Sequence, residues 1–262
     1  KSESMMITNN IVKSLDGTSM NAGKAGIHVF TTRESTDMFE QDQDHPSYMT
    51  RNDKIYNNTI LLEGNTDNSE SALVVGVGLQ QTTGTELYNN AIAITDEAIT
   101  SNHEYASLVF VQGELPQDGG PQSDNNAYWV SENSGAVTVR LVEMDPESHE
   151  VKYMNSRNDF VNLEQWRVWT GSDKSSMENN FLADLDVTTN NIKIKMDGGK
   201  YPLGSVLNNR GRRIKDITSD AFGTTRGVTG QRYDIGAQEF KGELFTSDLN
   251  MLRIDSPASY KS

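Results

Sequence analysis

Ile55-Tyr-Asn-Asn-Thr-Ile-Leu-Leu62 and Leu87-Tyr-Asn-Asn-Ala-Ile-Ala-Ile94 align without a gap, and Ile7-Thr-Asn-Asn-Ile-Val-Lys-Ser14 aligns with both. A weaker fourth copy is Ser123-Asp-Asn-Asn-Ala-Tyr-Trp-Val130, and the pair recurs at Asn179-Asn180 and Asn190-Asn191. A self-similar unit at near-regular spacing is the signature of a repeat architecture. From Asn57 to Asn89 is 32 residues and from Asn89 to Asn125 is 36. Between these units lies a second kind of apolar run, Gly26-Ile-His-Val-Phe30, Ala72-Leu-Val-Val-Gly-Val77 and Ala106-Ser-Leu-Val-Phe-Val111. Each period is therefore expected to hold two strands and their connecting loops.

Strands stacked in parallel, one turn of chain upon the next, satisfy their backbone groups with the turns above and below, about 4.8 Å away. Residues at one position then form a column. An Asn in such a column can donate its amide to the next Asn, and Asn also tolerates the left-handed backbone bend that redirects a strand. This accounts for an otherwise strand-averse residue recurring once per turn. The predicted ladder comprises Asn9, Asn10, Asn57, Asn58, Asn89, Asn90, Asn125 and Asn126. The alternative is that the pairs mark hairpins of an antiparallel sandwich. Hairpins favour Asn-Gly, whereas here the pair runs straight into strand residues. The fold expected is all-β: a right-handed parallel β-helix of about four to six coils with a C-terminal closing segment. Helical signal is confined to Asn162–Arg167, where Leu163 and Trp166 share one face.

Composition narrows the function. The 262 residues are enough for a sizeable core, and the absence of cysteine removes disulfides, thiolate metal sites and a cysteine nucleophile. A net charge of −14 argues against a nucleic-acid partner. The longest apolar run, Ala72–Leu79, is far short of the roughly 20 residues of a membrane span, so none is expected. Charge is uneven: residues 1–150 carry 23 acidic and 7 basic side chains, net −16, and residues 151–262 carry 14 and 16, net +2.

Three stretches of the second half resemble the closing segment of secreted right-handed parallel β-helix proteins of the pectate-lyase-like superfamily, choice-of-anchor Q type. Leu163-Glu-Gln-Trp-Arg-Val-Trp-Thr-Gly-Ser-Asp-Lys-Ser175 looks like that family's Leu-x-x-Trp-x-x-x-Thr-Gly-x-Asp-x-x-Ser, with Ser175 or Ser176 at the last position. Asp220-Ala-Phe-Gly-Thr-Thr-Arg226 is similar to its Asp-x-x-Gly-x-x-Arg turn, and Tyr233-Asp-Ile-Gly-Ala-Gln-Glu-Phe240 to its terminal Asp-Ile-Gly-Ala-x-Glu. The resemblance implies a structural closing motif of Trp166, Gly171, Asp173, Asp220, Gly223, Arg226, Asp234, Gly236 and Glu239. Asp234 and Glu239 are expected to meet Arg226 or Arg232 and lock the last coil. Residues 1–240 then form one β-helix, closing from about 151, and 241–262 read as a linker and the start of a following module. On this reading the chain is the C-terminal part of a larger secreted or cell-surface bacterial protein.

Motifs that would carry chemistry are sparse. His28, His45, His103 and His149 stand singly, without metal-ligand spacing. Asp37, Glu40, Asp42 and Asp44 form the densest acidic loop; oxygens so spaced can hold Ca²⁺, and a solvated loop explains them equally. No other cofactor is expected, nor any catalytic residue. Asn208-Asn-Arg-Gly-Arg-Arg213 is the best cationic patch, and Trp129 could stack on a sugar. The expected function is a non-catalytic structural or adhesive segment, its partners being other modules of the same polypeptide, itself as a homopolymer in a fibre or surface layer, or an extracellular glycan. The competing expectation is a polysaccharide lyase or glycoside hydrolase acting on such a glycan.

Overall fold

The computed structural model describes residues 4–14, 23–30, 50–64, 73–80, 82–103, 105–113, 121–143, 157–188, 191–197, 204–227 and 231–240. The acidic loop from Asp37 to Asp44, His45, His149, Asn190 and the expected linker 241–262 lie outside the described residues.

The chain is mostly β, and its main sheets are parallel. Sheet A contains Met6–Thr8, Lys54–Tyr56, Glu86–Tyr88 and Gln122–Asp124. Sheet B contains Ile11–Lys13, Thr59–Leu62, Ala91–Ile94, Ala127–Val130 and Met177–Glu178. Sheet C contains Lys24–Phe30, Leu73–Gln80, Tyr105–Gly113 and Val137–Glu143, followed by Arg157–Phe160. The chain passes from A to B to C and returns to A. Strands of successive passes pair in register, Ile55 with Leu87, Ile60 with Ile92 and Val77 with Val109. We call each pass a level; there are four among the described residues.

Each period thus holds three main strands, not the two expected from sequence, and the second and third add a short one, Thr50–Arg51 paired parallel with Thr82–Thr83. The reason lies inside the eight-residue unit. The first Asn of each pair takes a positive φ, 58° at Asn9, 54° at Asn57, 59° at Asn89 and 56° at Asn125. That left-handed residue breaks the unit, sending its front half to sheet A and its back half to sheet B. Asn pays less for this conformation than any other non-glycine residue apart from Asp.

Between the sheets lies a hydrophobic core built from columns of like residues: Ile60 over Ile92, Leu62 over Ile94, Leu79 over Val111 and Leu141. Sheets B and C approach closely at Gly26 and Gly76. At Gly76 an ideal Cβ would lie 2.3 Å from Ile92 Cγ2 and 2.6 Å from the Leu108 carbonyl oxygen, so only glycine fits. One ion pair is sealed where sheets B and C meet: Lys24 Nζ lies 3.0 Å from Asp96 Oδ2, and both side chains are buried.

Sheet B is apolar on both faces. Leu61, Ala91, Ala93 and Ala127 point away from the first core into a second, completed by Phe181, Leu185, Leu207, Ile235 and Phe240 of a C-terminal layer. A parallel strand covered on both sides reads as a continuous apolar run, as Ala91-Ile-Ala-Ile94 does.

The open end of the stack past level four is closed by residues 157–178. Arg157–Phe160 pairs antiparallel with Val137–Glu143. Arg140, itself buried, clamps the pairing by donating from Nε and Nη2 to the two carboxylate oxygens of Asp159, at 2.7 and 3.2 Å. The helix follows at Leu163–Thr170 instead of Asn162–Arg167. Asn162 is its N-cap, accepting from Gln165 N at 3.0 Å, and Gly171 with φ 71° is its stop, three residues later than the apolar spacing alone suggested.

Candidate functional site

The second Asn of the pair is buried at Asn58, Asn90 and Asn126 and exposed at Asn10, and these four side chains form an unbroken amide column. Asn10 Nδ2 donates to Asn58 Oδ1 at 3.0 Å, Asn58 Nδ2 to Asn90 Oδ1 at 3.0 Å, and Asn90 Nδ2 to Asn126 Oδ1 at 3.1 Å. Every receiving oxygen also accepts the backbone N–H of the Asn one level earlier, at 2.9, 3.1 and 2.8 Å. The second amide hydrogen turns back to a sheet A carbonyl of the preceding level: Asn58 to Ile7, Asn90 to Ile55, Asn126 to Leu87. Buried amides persist only when so fully paired. The column has a direction, with donors facing the C-terminal levels and acceptors the N-terminal ones.

It ends on Ser176 and Asp173. Asn126 N donates to Ser176 Oγ at 2.8 Å, and Asn126 Nδ2 lies 3.3 Å from Asp173 Oδ1. Ser176 occupies the Asn place of the next level, because Met177 pairs with Ala127. Asp173 also accepts from Ser123 Oγ at 2.9 Å and, on its other oxygen, from Trp166 Nε1 at 2.9 Å. Burial nevertheless holds its carboxyl above the ordinary range, against the pull of these donors. Trp166 is core, 1% exposed, with Phe160 packed on it edge-to-face.

The first Asn of each pair lies at the corner between sheets A and B, and the C-terminal layer is strapped along this corner. Asn89 Nδ2 donates to Asn57 Oδ1 at 2.9 Å and to the Arg212 carbonyl at 2.8 Å, while Arg212 N donates to Asn89 Oδ1. Asn125 Nδ2 donates to the Arg210 carbonyl and Asn9 Nδ2 to that of Ser219, both at 2.9 Å. The cationic cluster is therefore held through its main chain, leaving Arg210, Arg212 and Arg213 at the surface. Arg212 covers the ring of Tyr88 at 4.2 Å, and Tyr88 stacks with Tyr56. Tyr56 hydroxyl donates to Glu86, and burial pushes both tyrosines above their usual range.

The remaining closing-motif residues form one buried knot. Arg226 Nη1 lies 3.1 Å from Glu239 Oε2, and its Nη2 donates to the Gly236 carbonyl at 2.8 Å and to Asn9 Oδ1 at 2.9 Å. Asp234 meets Arg226 only through its carbonyl, at 3.4 Å; its carboxylate accepts Asn209 N and Phe240 N at 2.6 and 2.7 Å. Arg232 is exposed and outside the knot. Asp220 receives Phe222, Thr224 and Glu239 main-chain N–H groups in the turn that Gly223, φ 82°, closes. Gly236, φ 97°, approaches so closely that a Cβ would lie 2.7 Å from Thr59 Oγ1. Burial, reinforced by the Glu239 charge, pushes Asp234 up to about 7. Burial also raises Glu239 and lowers Arg226.

The knot does not lock the last coil, as the sequence led us to expect. It sits beside the first level, through Asn9, and beside the second, through Thr59. The cover of the stack end is made instead by residues 157–178, so the closing motif is split between an end cap holding Trp166, Gly171 and Asp173 and a lateral strap holding the rest.

The other candidates do not converge. His28 pairs with Gln80 Oε1 at 2.7 Å on the outside of sheet C. His103 is buried, with Nδ1 accepting from Thr100 N. Trp129 is half-buried against the second core. Among the described residues no group of three or more His, Asp or Glu is placed to hold a metal ion. No helix among them is long and apolar enough to cross a membrane. Sequence reasoning missed Arg140–Asp159, Lys24–Asp96 and the Tyr56–Tyr88 stack; the last had a signal, since tyrosine precedes the Asn pair in two repeats. The chain matches no family model, no curated protein and no solved structure.

Proposed function

We propose that this chain is a right-handed parallel β-helix serving as a non-catalytic structural or adhesive segment of a secreted or cell-surface bacterial protein. One observation carries the reading. The polar groups that recur with the repeat are consumed internally: Asn58, Asn90 and Asn126 donate and accept along the stack, and Asn9, Asn89 and Asn125 hold the strap. A recognition or catalytic surface needs polar groups left facing solvent and converging on a reacting atom. The three acids of the knot likewise accept main-chain N–H groups within the fold. A rigid rod segment that spaces neighbouring modules, adheres to a glycan or assembles with its own kind uses such a body as it stands.

The test is turnover. Incubated with alginate, pectate and glycosaminoglycans, the protein is expected to release neither unsaturated uronate, read by ultraviolet absorbance, nor reducing ends. Release of either would replace this reading with a polysaccharide lyase or glycoside hydrolase.

A further inference from the structure

The two ends of the amide column differ. At its C-terminal end the last donors are met by Ser176 and Asp173, and the sheets are closed off by Arg157–Phe160 and the helix. At its N-terminal end Met6–Thr8, Ile11–Lys13 and Lys24–Phe30 are edge strands of sheets A, B and C together. Asn10 is exposed there, whereas Asn58 and Asn90 are fully buried. Its Nδ2 cannot reach back to a preceding sheet A carbonyl, as Asn58 and Asn90 do, and takes Thr8 of its own level instead, at 3.1 Å. Among the described residues nothing donates to Asn10 Oδ1. Met5, Met6 and Phe30 are 42%, 47% and 52% exposed, and Ile7 and Val12 only partly buried.

From this, and resting on the stacked reading above, we infer that the first level is a docking face for one further parallel β level bearing an Asn-Asn corner, seated by the contacts that join the levels already present. Such a level would present its C-terminal face. Its second Asn would donate N–H and Nδ2 to Asn10 Oδ1, and its sheet A strand would offer a carbonyl for Asn10 Nδ2 to take in place of Thr8. The partner's polarity follows from the column. A second copy meeting this face with its own first level would set Asn10 Oδ1 against Asn10 Oδ1, acceptor against acceptor, and its other end is already closed. Edges unpaired among the described residues in three sheets at once are otherwise an aggregation hazard, which charges or a cover normally blunt.

Register makes the test direct. Lys54 pairs with Glu86 and Met6 with Lys54, so residues 50–81 fused immediately ahead of Ser2 add one level with no linker. Amide exchange at Met6–Thr8, Ile11–Lys13 and Lys24–Phe30 is expected to slow at least about tenfold. The same insert with its copies of Asn57 and Asn58 changed to alanine is expected to slow it far less. Asn10→Ala, nearly silent in the parent, is expected to destabilise the fusion as Asn58→Ala destabilises the parent. Should that insert not fold, residues 82–117 fused at the same place repeat the experiment with the third level; no protection from either overturns the inference. It also falls if the parent's first-level amides already exchange as slowly as those of Lys54–Tyr56, since the chain then covers this face itself, or if the parent dimerises through it. If Asn58→Ala leaves the parent's stability unchanged, the stacked reading fails as well; if it destabilises the parent yet the fusion gains no protection, the docking face alone fails.

Discussion

Arg226 Nη2 lies 2.9 Å from Asn9 Oδ1, joining residues 217 positions apart and tying the C-terminal layer to the first level of the stack. The charges of three buried carboxylates, those of Glu239, Asp220 and Asp234, act on the same guanidinium. Replacing it with Met keeps much of the volume and leaves these acids without their counter-charge, at a cost of about 3–5 kcal/mol. Asn9→Gly keeps the left-handed bend at φ 58° but removes two hydrogen bonds at a half-buried corner, from Arg226 and to the Ser219 carbonyl, and is expected to cost about 1–2 kcal/mol. Urea unfolding of the two variants separates the roles; equal losses would show that Arg226 acts only as a strap.

The amide column predicts a gradient of sensitivity. Asn90→Ala strands the Asn58 main-chain N–H and one Asn58 amide hydrogen, both of which donate to Asn90 Oδ1, takes a donor from the Ile55 carbonyl and from Asn126 Oδ1, and is expected to cost at least about 2–3 kcal/mol. Asn10→Ala is expected to stay within about 1 kcal/mol, because Asn10 is exposed. Equal effects in thermal unfolding would mean the column contributes no more than an ordinary surface pair.

Backbone and side chain can be separated at Asn57. With φ 54° it is held in the left-handed region, and its Nδ2 has no partner among the described residues. Alanine keeps neither the conformational tolerance nor the amide, whereas glycine keeps the former. Asn57→Ala is expected to be less stable than Asn57→Gly by about 1 kcal/mol. The reverse order would mean that chain entropy, not the left-handed bend, governs this corner.

Asp234 sets a pH dependence whose sign can be worked out. The folded protein holds its proton up to about 7, while the unfolded chain releases it near about 4. Between those values the native state binds more protons, so this contribution is fully present below about pH 4 and is lost as pH rises through 7. Burial moves Glu239 and Asp173 the same way. The urea midpoint is expected to fall from pH 5.5 to pH 8 by roughly 1–3 kcal/mol of stability, and Asp234→Asn, though less stable throughout, should show a shallower slope. A midpoint that rises across this interval would reverse the assignment.

The repeat was legible because its causes are local. A left-handed bend and a buried amide both select Asn, and they leave the pair at Asn57, Asn89 and Asn125 with matching neighbours. The third strand per level was not legible, because the bend falls inside an apolar unit that otherwise reads as one strand. The end cap at Asp173 could be seen only as a motif; what makes it necessary is the position of Ser176 in the register of Asn126, 50 residues earlier. Lys24 and Asp96 are 72 positions apart and carry no local pattern at all. The lateral strap had an overlooked sign, the alternation of Ala91 and Ala93 with Ile92 and Ile94, small residues on a face that something large must cover.

A free array of repeats can fray from either tip, each unit held only by its neighbours. Here one segment reaches Asn9, Thr59, Asn89 and Asn125 in turn, so no tier can loosen without disturbing a tether shared with the others. Duplicating or excising an interior tier would throw every later tether out of step. The body is thus built to a set count, able to lengthen over evolutionary time only beyond the point where its fastening begins.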